Sequence, residues 1–324
     1  MATIRQRGDR WQAVVKRQGF PTQYKSFDLM KDAEKWARLQ EREMDAGTWT
    51  DRAPAEQTTF GELLDRYGRE VTAMKRGADK ERYRLEQLQR SKLGKRSVAS
   101  ITGQVLAAWR DDRLREVSGS TVSREMNLIS HVFSVAIKEW GIGLSTNPAS
   151  LVRKPTSNPA RDRVLVGDER ERLMAACAQC SNPWIKPVAF FALETAARRG
   201  EILNLAWSGV DLVKGVAKVS GKTGGRTIPL SPQCIAMLRA LPRDIGGKVF
   251  PVTVSALSQA FERAVVRAGI EGFCFHDLRH DALTRMARLG FNVLELRAVS
   301  GHASANMLQR YVSIDAGDLA RKLG

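Results

Sequence analysis

The chain has 324 residues, of which 43% are hydrophobic and 27% charged, a balance typical of folded globular proteins rather than disordered chains. Lys and Arg number 52 against 35 Asp and Glu, and the resulting net charge of +17 indicates a polyanionic partner, either nucleic acid or a membrane surface. The N-terminus has no apolar segment typical of a signal peptide, no apolar run approaches the roughly 20 residues of a membrane helix, and four cysteines are too few for a disulfide framework. We therefore expect a cytoplasmic protein that does not span a membrane, while the charge alone leaves both nucleic acid and a membrane surface open as partners.

The first segment, residues 1–47, has the pattern of a small α+β unit. Apolar and polar side chains alternate from Trp11 to Val15, which predicts a strand, and residues 23–27 can form a second one. Residues 31–44 then predict a helix with small and aromatic side chains along one side. A polar linker, residues 48–58, follows.

The middle segment, residues 59–152, is predicted to be helical throughout. Phe60, Leu63 and Tyr67 keep helical spacing, and the apolar residues between Val122 and Trp140 do so over five turns. A second linker with two prolines and several charges covers residues 153–163.

From residue 164 onward the pattern is mainly helical, with one β insertion at residues 210–230. We expect strands at 216–219 and 227–230, with turns at Lys214-Gly215 and at Gly224-Gly225. The predicted fold class is therefore mainly α with small β-sheets, an α+β organisation.

The positive charge is distributed over all three segments. Residues 1–50 carry a net charge of +3, residues 51–156 carry +6 and residues 157–324 carry +8. A basic tail would concentrate the charge at one end, so this distribution indicates several surfaces that meet one extended polyanion.

Two familiar motifs are not supported. The GKT of residues 221–223 would need a glycine at position 216 and a following helix to bind a nucleotide phosphate, but position 216 is Val and a strand is predicted to follow. Cys177 and Cys180 are spaced like zinc ligands, but no second pair accompanies them, so they are interpreted as buried structural cysteines.

Basic and histidine side chains concentrate in three short segments. Residues 195–201 read TAARRGE between apolar stretches, residues 273–280 read FCFHDLRH, and residues 300–311 read SGHASANMLQRY. His276 and Arg279 share a helical face, while Gly301 and Ser304 allow a break that could turn His302 and Tyr311 towards one site. Each side chain alone could be structural, but three of the four histidines lie in these segments, and together they indicate an anion site.

These segments resemble the catalytic motifs of the tyrosine recombinases, the phage integrase family. TAARRGE resembles T-G-x-R-x-G-E, GKTGGRTIPL resembles the family's β-hairpin, HDLRH resembles H-x-L-R-H, and SGHAS followed by QRY resembles L-G-H-x-S…Y. Ala196 replaces a favoured Gly and Ser300 a favoured Leu. The resemblance implies six catalytic positions, namely Arg198, Lys222, His276, Arg279, His302 and the nucleophile Tyr311.

The resemblance also implies the reaction, in which the tyrosine oxygen attacks a DNA phosphate and forms a 3′-phosphotyrosine. Arg198 and Arg279 would bind the nonbridging oxygens and His302 would add a hydrogen bond. Lys222 would protonate the leaving 5′-oxygen, and His276 would help to move the tyrosine proton. No metal, cofactor or ATP is implied.

The domain organisation and the partners follow from the same resemblance. Residues 1–50 would be an N-terminal arm-type DNA-binding domain, residues 51–157 a helical core-binding domain, and residues 158–324 the catalytic domain. We expect double-stranded DNA at specific recombination sites as the substrate and a homotetramer on two sites, formed through monomers or dimers. An accessory DNA-bending protein would be a further partner, and no membrane partner is implied. The protein would be cytoplasmic and associated with the nucleoid, and its origin would be a prokaryote or a phage.

Two other functions stay open at this point. A type IB topoisomerase would use much the same chemistry to relax DNA, and a non-catalytic DNA-binding regulator would explain the charge without the catalytic side chains. The sequence also leaves open whether the outcome is integration, excision or inversion of DNA, although the N-terminal segment resembles shufflon recombinases as well as integrases.

Overall fold

A computed structural model describes residues 2–156, 158, 161–221 and 224–311 of the chain. The chain divides into two compact units, Met1–Pro159 and Ala160–Gly324. The finer division of the first unit into an arm-type and a core-binding domain stays a prediction.

The N-terminal part of the first unit is a three-stranded antiparallel sheet with one helix on it. Strand β2 lies between β1 and β3, and Ala13 and Val15 of β2 are buried with Ala33 and Ala37 of the helix. The first strand was not anticipated, because its side chains are mostly exposed and polar. The elements are β1 Ala2–Arg7, β2 Arg10–Val15, β3 Gln23–Phe27 and α1 Met30–Asp45.

The rest of the first unit is helical, as predicted. Phe60 and Phe133 stack at 5.2 Å between ring centroids in its core, and Tyr67 is fully buried beside them. Thr59 and Glu62 form a capping box that fixes the start of α3. The helices are α2 Ala53–Gln57, α3 Phe60–Glu70, α4 Ala78–Arg90, α5 Gly103–Leu114 and α6 Gly119–Lys138.

Helix α8 is strongly apolar and lies in the core of the second unit, where Ile185, Val188 and Phe191 are among its buried residues. A three-stranded antiparallel sheet of β4, β5 and β6 packs into the same core through Ala217, Val219 and Ile228. The helices are α7 Glu169–Ala178, α8 Ile185–Thr195, α9 Arg199–Leu203, α10 Pro232–Ala240, α11 Val254–Arg267, α12 Asp277–Arg288 and α13 Val293–Ser300, and the strands are β4 Val210–Asp211, β5 Val216–Gly221 and β6 Gly224–Pro229.

The turn predicted at Gly224-Gly225 is wrong. Both glycines lie in β6, and Gly224 pairs with Gly221 at the end of the hairpin. The hairpin extends two residue pairs beyond Val219 and Arg226, and these pairs were missed because their serine and glycine residues lack the β-branched side chains from which the strands were predicted. Cys177 is buried as expected, whereas Cys180 is only half-buried.

Two helix ends in the second unit turn sharply and position the residues that follow them. Helix α8 ends at Ala196, the one non-glycine residue with positive φ in the described part of the chain, at 55°. Helix α13 ends at Gly301 with φ of 65°. These left-handed caps direct the segments that carry Arg198 and His302 out of their helices.

The expected fold class, mainly α with small β-sheets, is confirmed. None of the helices in the described ranges is long and apolar enough to span a membrane.

Candidate active site

Arg198 is held at the start of α9 by a buried carboxylate. Its backbone N–H donates to Glu201 Oε2 at 2.8 Å and its guanidinium donates to Oε1 at 2.9 Å, while a third bond reaches the carbonyl of Gly301 at 3.2 Å. Glu201 is only 2% exposed. The side chain of Arg198 thus spans the two segments that follow the left-handed caps.

Arg226 is a member of this site that sequence reasoning missed. It lies on β6 and binds Glu201 with both terminal nitrogens, at 2.7 and 2.9 Å, and its Nε donates to the carbonyl of Val299 at 2.6 Å. Burial alone would raise the pKa of Glu201, but hydrogen bonds from Arg226 and Arg198 outweigh it and lower this pKa to about 2. The sequence feature that could have pointed to Arg226 is Glu201, because an acidic residue in an apolar stretch needs cationic partners.

Arg279 is the most buried cation of the site, at 3% exposure. It donates to the carbonyls of Ala196 and Ser300, both at 2.7 Å, and therefore ties the end of α8 to the end of α13. Burial and the charges of Arg198 and Arg226 lower the pKa of Arg279 to about 9, so its guanidinium stays charged at neutral pH.

His302 lies beside Arg279, with both ring nitrogens 3.4 Å from a guanidinium nitrogen. Its Nδ1 is 2.7 Å from the hydroxyl of Ser300, which is fully buried. Burial and then the charges of Arg279 and Arg198 lower the pKa of His302 to about 4, so the ring is neutral at pH 7. Ser300, the position at which the family favours Leu, therefore supplies a hydrogen-bond partner that Leu could not.

Tyr311 lies in a short 3₁₀ turn and contacts His280, not the predicted His276. Its hydroxyl is hydrogen-bonded to His280 Nδ1, and the two rings are 5.8 Å apart. His276, the residue that precedes α12, is exposed, and its ring meets that of His280 edge-on at 5.2 Å. Within the described ranges no hydrogen bond joins His276 to Tyr311.

The structure thus brings three of the six predicted side chains, Arg198, Arg279 and His302, into one connected network. Tyr311 is close enough to Arg279 for the guanidinium to counteract the rise in the pKa of Tyr311 that burial causes. Lys222, predicted as the general acid, lies outside the described residues.

A cleft of 620 Å³ opens beside this network. Its lining includes Arg198, Arg226, Arg297 and His302, with Leu294 and Met307 as exposed apolar neighbours. Several N–H donors with a positive net charge around a cleft can bind an oxyanion and stabilise negative charge that develops on it.

Comparison with known proteins identifies the family of this chain. The family model described as "Phage integrase family" matches residues 163–317. A shufflon-specific DNA recombinase of Escherichia coli is 40% identical over 276 residues, which are 82% of this chain and 71% of that protein. A putative integrase/recombinase of Haemophilus influenzae is 32% identical over 325 residues, covering 95% of this chain and 86% of the other.

Solved structures share the fold. A lambda integrase tetramer bound to a Holliday junction superposes with a TM-score of 0.69 at 21% identity, covering 94% of this chain and 93% of that one. The Tn1549 transposon integrase, in complex with a circular intermediate DNA, gives 0.67 at 17% identity, with 82% and 99% coverage.

Fold, site and relatives together define a DNA recombinase of the tyrosine type. The chain belongs to the phage integrase family. The expected family and enzyme class are confirmed, and the relatives named above are recombinases and integrases, which favours this class over a relaxing topoisomerase or a non-catalytic regulator.

Proposed function

We propose that this protein exchanges DNA strands at specific sites by attack of Tyr311 on a DNA phosphate, with Arg198 and Arg279 binding the nonbridging oxygens. The observation that carries the proposal is the convergence of Arg198, Arg279 and His302 from three distant chain segments, joined through Ser300 and Gly301. Arg is well suited to phosphate because its planar N–H donors bind two oxygens at once.

In the proposed reaction a bond forms between Tyr311 Oη and phosphorus while the bond from phosphorus to the 5′-oxygen breaks. The products are a 3′-phosphotyrosine and a free 5′-hydroxyl, whose proton comes from Lys222 as general acid. Because one phosphoester replaces another, a second 5′-hydroxyl can reverse the step on a new strand. The buried Arg279, already fixed by two carbonyls, would stabilise the developing charge with little rearrangement.

The outcome we propose is inversion of DNA segments. The support is the 40% identity to a shufflon-specific recombinase, which extends over 82% of this chain and so beyond the catalytic unit. We further propose that the protein acts as a tetramer on two sites, as the lambda integrase does on a Holliday junction, and that an accessory DNA-bending protein assists it.

DNA binding by residues 1–50 is proposed from the exposed face of the N-terminal sheet. Arg5 pairs with Gln12, Arg7 with Arg10, and Val14 with Tyr24, and these side chains lie on the face opposite α1. Arg5 Nε donates to Gln12 Oε1 at 3.0 Å, and Tyr24 is 73% exposed. A basic face with an amide and an exposed aromatic ring fits a DNA groove.

The cleavage proposal is tested with a nicked suicide substrate, from which a short 5′ fragment is lost after cleavage so that the covalent adduct accumulates. Wild-type protein is expected to give a denaturant-stable adduct, and Tyr311→Phe is expected to bind the same DNA without forming one. Arg198→Ala and Arg279→Ala are expected to reduce cleavage far more than binding. An adduct with Tyr311→Phe would show that Tyr311 is not the nucleophile.

The inversion proposal is tested on plasmids that carry two sites from the protein's own genomic neighbourhood. Inverted sites are expected to give inversion of the intervening segment. Loss of the segment from directly repeated sites at an equal or higher rate would instead indicate an excision enzyme.

A further inference from the structure

The reacting hydroxyl of Tyr311 already has a partner in the protein, and that partner is His280. The hydrogen bond joins Tyr311 Oη to His280 Nδ1, and both side chains are half-buried. His280 lies one residue beyond Arg279 on α12, so the same helical turn that supplies a buried cation presents an imidazole to the nucleophile.

We propose that His280 is a catalytic residue that takes up the Tyr311 proton as the hydroxyl attacks phosphorus. This inference rests on the proposed function, because it assumes that Tyr311 is the nucleophile. In the tautomer that leaves Nδ1 unprotonated, the tyrosine hydroxyl donates to that nitrogen, which is the geometry a general base requires.

The proton and the electron pairs balance in this step. The O–H bond of Tyr311 breaks and its proton moves to His280 Nδ1, while the tyrosine oxygen forms its bond to phosphorus and the 5′-oxygen leaves with a proton from Lys222. His280 is then an imidazolium. When a 5′-hydroxyl attacks the phosphotyrosine in the rejoining step, its proton moves to the neutral Lys222, and Tyr311 leaves and recovers its own proton from His280.

The electrostatic surroundings keep this proton transfer from occurring without DNA. Burial raises the pKa of Tyr311, and burial together with nearby cations lowers the pKa of His280 to about 4. The charged and titratable groups that act on His280 are His276, Arg310, Asp277 and Arg279, in addition to Tyr311.

A phosphate held by Arg279 would counteract part of this positive field. The negative charge of the phosphate would raise the pKa of His280, because it would partly cancel the positive charges that destabilise an imidazolium there. Proton transfer from Tyr311 would therefore become easier when a scissile phosphate is bound, which limits the formation of tyrosinate to the complex with DNA.

His276 is the competing candidate, and the geometry is against it. Its side chain is exposed and meets His280 edge-on, with ring centroids 5.2 Å apart, whereas the hydrogen bond of Tyr311 goes to His280. His276 is thus placed to interact with His280 rather than with the hydroxyl itself.

The test uses suicide substrates with either oxygen or sulphur at the 5′ leaving position, and the full-length protein. A thiolate leaves without a proton, so sulphur removes the need for a general acid but not for a general base. The variants are His280→Asn and His280→Ala. Asn keeps a hydrogen-bond acceptor near the position of Nδ1 but cannot accept a proton. Lys222→Ala serves as the general-acid comparison, and His131→Asn, on helix α6 of the first unit, is the matched histidine control.

Both His280 variants are expected to cleave about 100-fold more slowly than wild type on either substrate, with DNA binding unchanged. Lys222→Ala is expected to recover on the sulphur substrate, and His131→Asn is expected to cleave within about twofold of wild type. Cleavage by His280→Asn at the wild-type rate would reduce His280 to a positioning residue. Recovery of the His280 variants on sulphur would make it an acid, and either result would overturn the inference.

Failure of the proposed function itself would look different. It would show as an adduct with Tyr311→Phe, or as no adduct with wild-type protein on either substrate, before any His280 variant is compared. If Tyr311→Phe forms no adduct but His280→Asn cleaves at the wild-type rate, only the role of His280 as a general base is overturned, and the proposed function stands.

Discussion

Replacement of Arg226 by Met is the sharpest test of how the site is held together. The change keeps much of the apolar stem but removes the guanidinium that binds Glu201 at 2.7 and 2.9 Å. Glu201 is 2% exposed, so its carboxylate would keep only Arg198 as a cationic partner, with little access to water. Removing one partner of a buried ion pair costs about 3–5 kcal/mol, and because Arg198 remains we expect about 3 kcal/mol for Arg226→Met.

The pH dependence of this loss follows from the pKa of Glu201. In the folded protein this pKa is about 2 against an ordinary 4.5, and the difference corresponds to about 3 kcal/mol of stability. Because the folded pKa is depressed, the contribution is fully present above pH 4.5 and is lost as the pH falls towards 2. In Arg226→Met burial would raise the pKa of Glu201 again, so the difference between variant and wild type should be large at pH 7 and should shrink in acid.

Scanning calorimetry of the full chain measures this prediction. A loss of about 3 kcal/mol should lower the melting temperature of the second unit by about 6–12 °C at pH 7. The exposed Arg239 provides the matched control, since Arg239→Met should change the free energy of unfolding by less than about 0.5 kcal/mol. Adding Glu201→Gln to Arg226→Met should recover at least about 1 kcal/mol, because the buried charge is then removed. A loss below about 1 kcal/mol, or one of equal size at pH 7 and pH 3, would refute the reasoning.

Three further changes test single features of the site. Ala196→Gly should stabilise the protein by about 1 kcal/mol, because Ala pays a steric cost at φ of 55°; a lower melting temperature would contradict this. Ser300→Ala should slow cleavage about tenfold at unchanged DNA affinity, because His302 loses the hydroxyl 2.7 Å from its Nδ1; an unchanged cleavage rate would show that His302 is held by other contacts. Binding of duplex DNA should weaken steeply between 50 and 200 mM salt, as a net charge of +17 implies; a flat salt response in a filter-binding titration would argue against phosphate contacts as the main source of affinity.

Elements with a regular apolar pattern were predictable from the sequence, and elements without one were not. The buried side chains of α6 follow the apolar spacing between Val122 and Trp140 from which a helix was predicted. Strand β1 was missed because Thr3, Arg5 and Arg7 are exposed and only Ile4 among its central residues is partly buried. An edge strand of this kind is specified by pairing with β2, which a local pattern does not reveal.

The same distinction holds for the candidate site. Arg198, Arg279 and His302 were predictable because each lies in a short motif, and the structure joins them. Arg226 was missed because its role depends on Glu201, which is 25 residues earlier in the chain. His280 was noticed only as the neighbour of Arg279, since its contact with Tyr311 depends on how the last described turn packs against α12.

The charges around the site explain why it should favour the transition state over the substrate. Arg198, Arg226 and Arg279 supply three positive charges and Glu201 one negative charge, so the connected network carries +2. A phosphodiester carries one negative charge, whereas the pentavalent transition state of phosphoryl transfer carries about two if no proton is gained. A network with a charge of +2 therefore stabilises the transition state more strongly than the bound substrate. Only stabilisation that is greater for the transition state than for the substrate accelerates the reaction. Burial, and after it the charges of neighbouring cations, lower the pKa values of Arg279, His280 and His302 in the protein without DNA. Repulsion among these positive groups reduces the stability of the folded protein, and the negative charge of a bound phosphate would offset part of that loss.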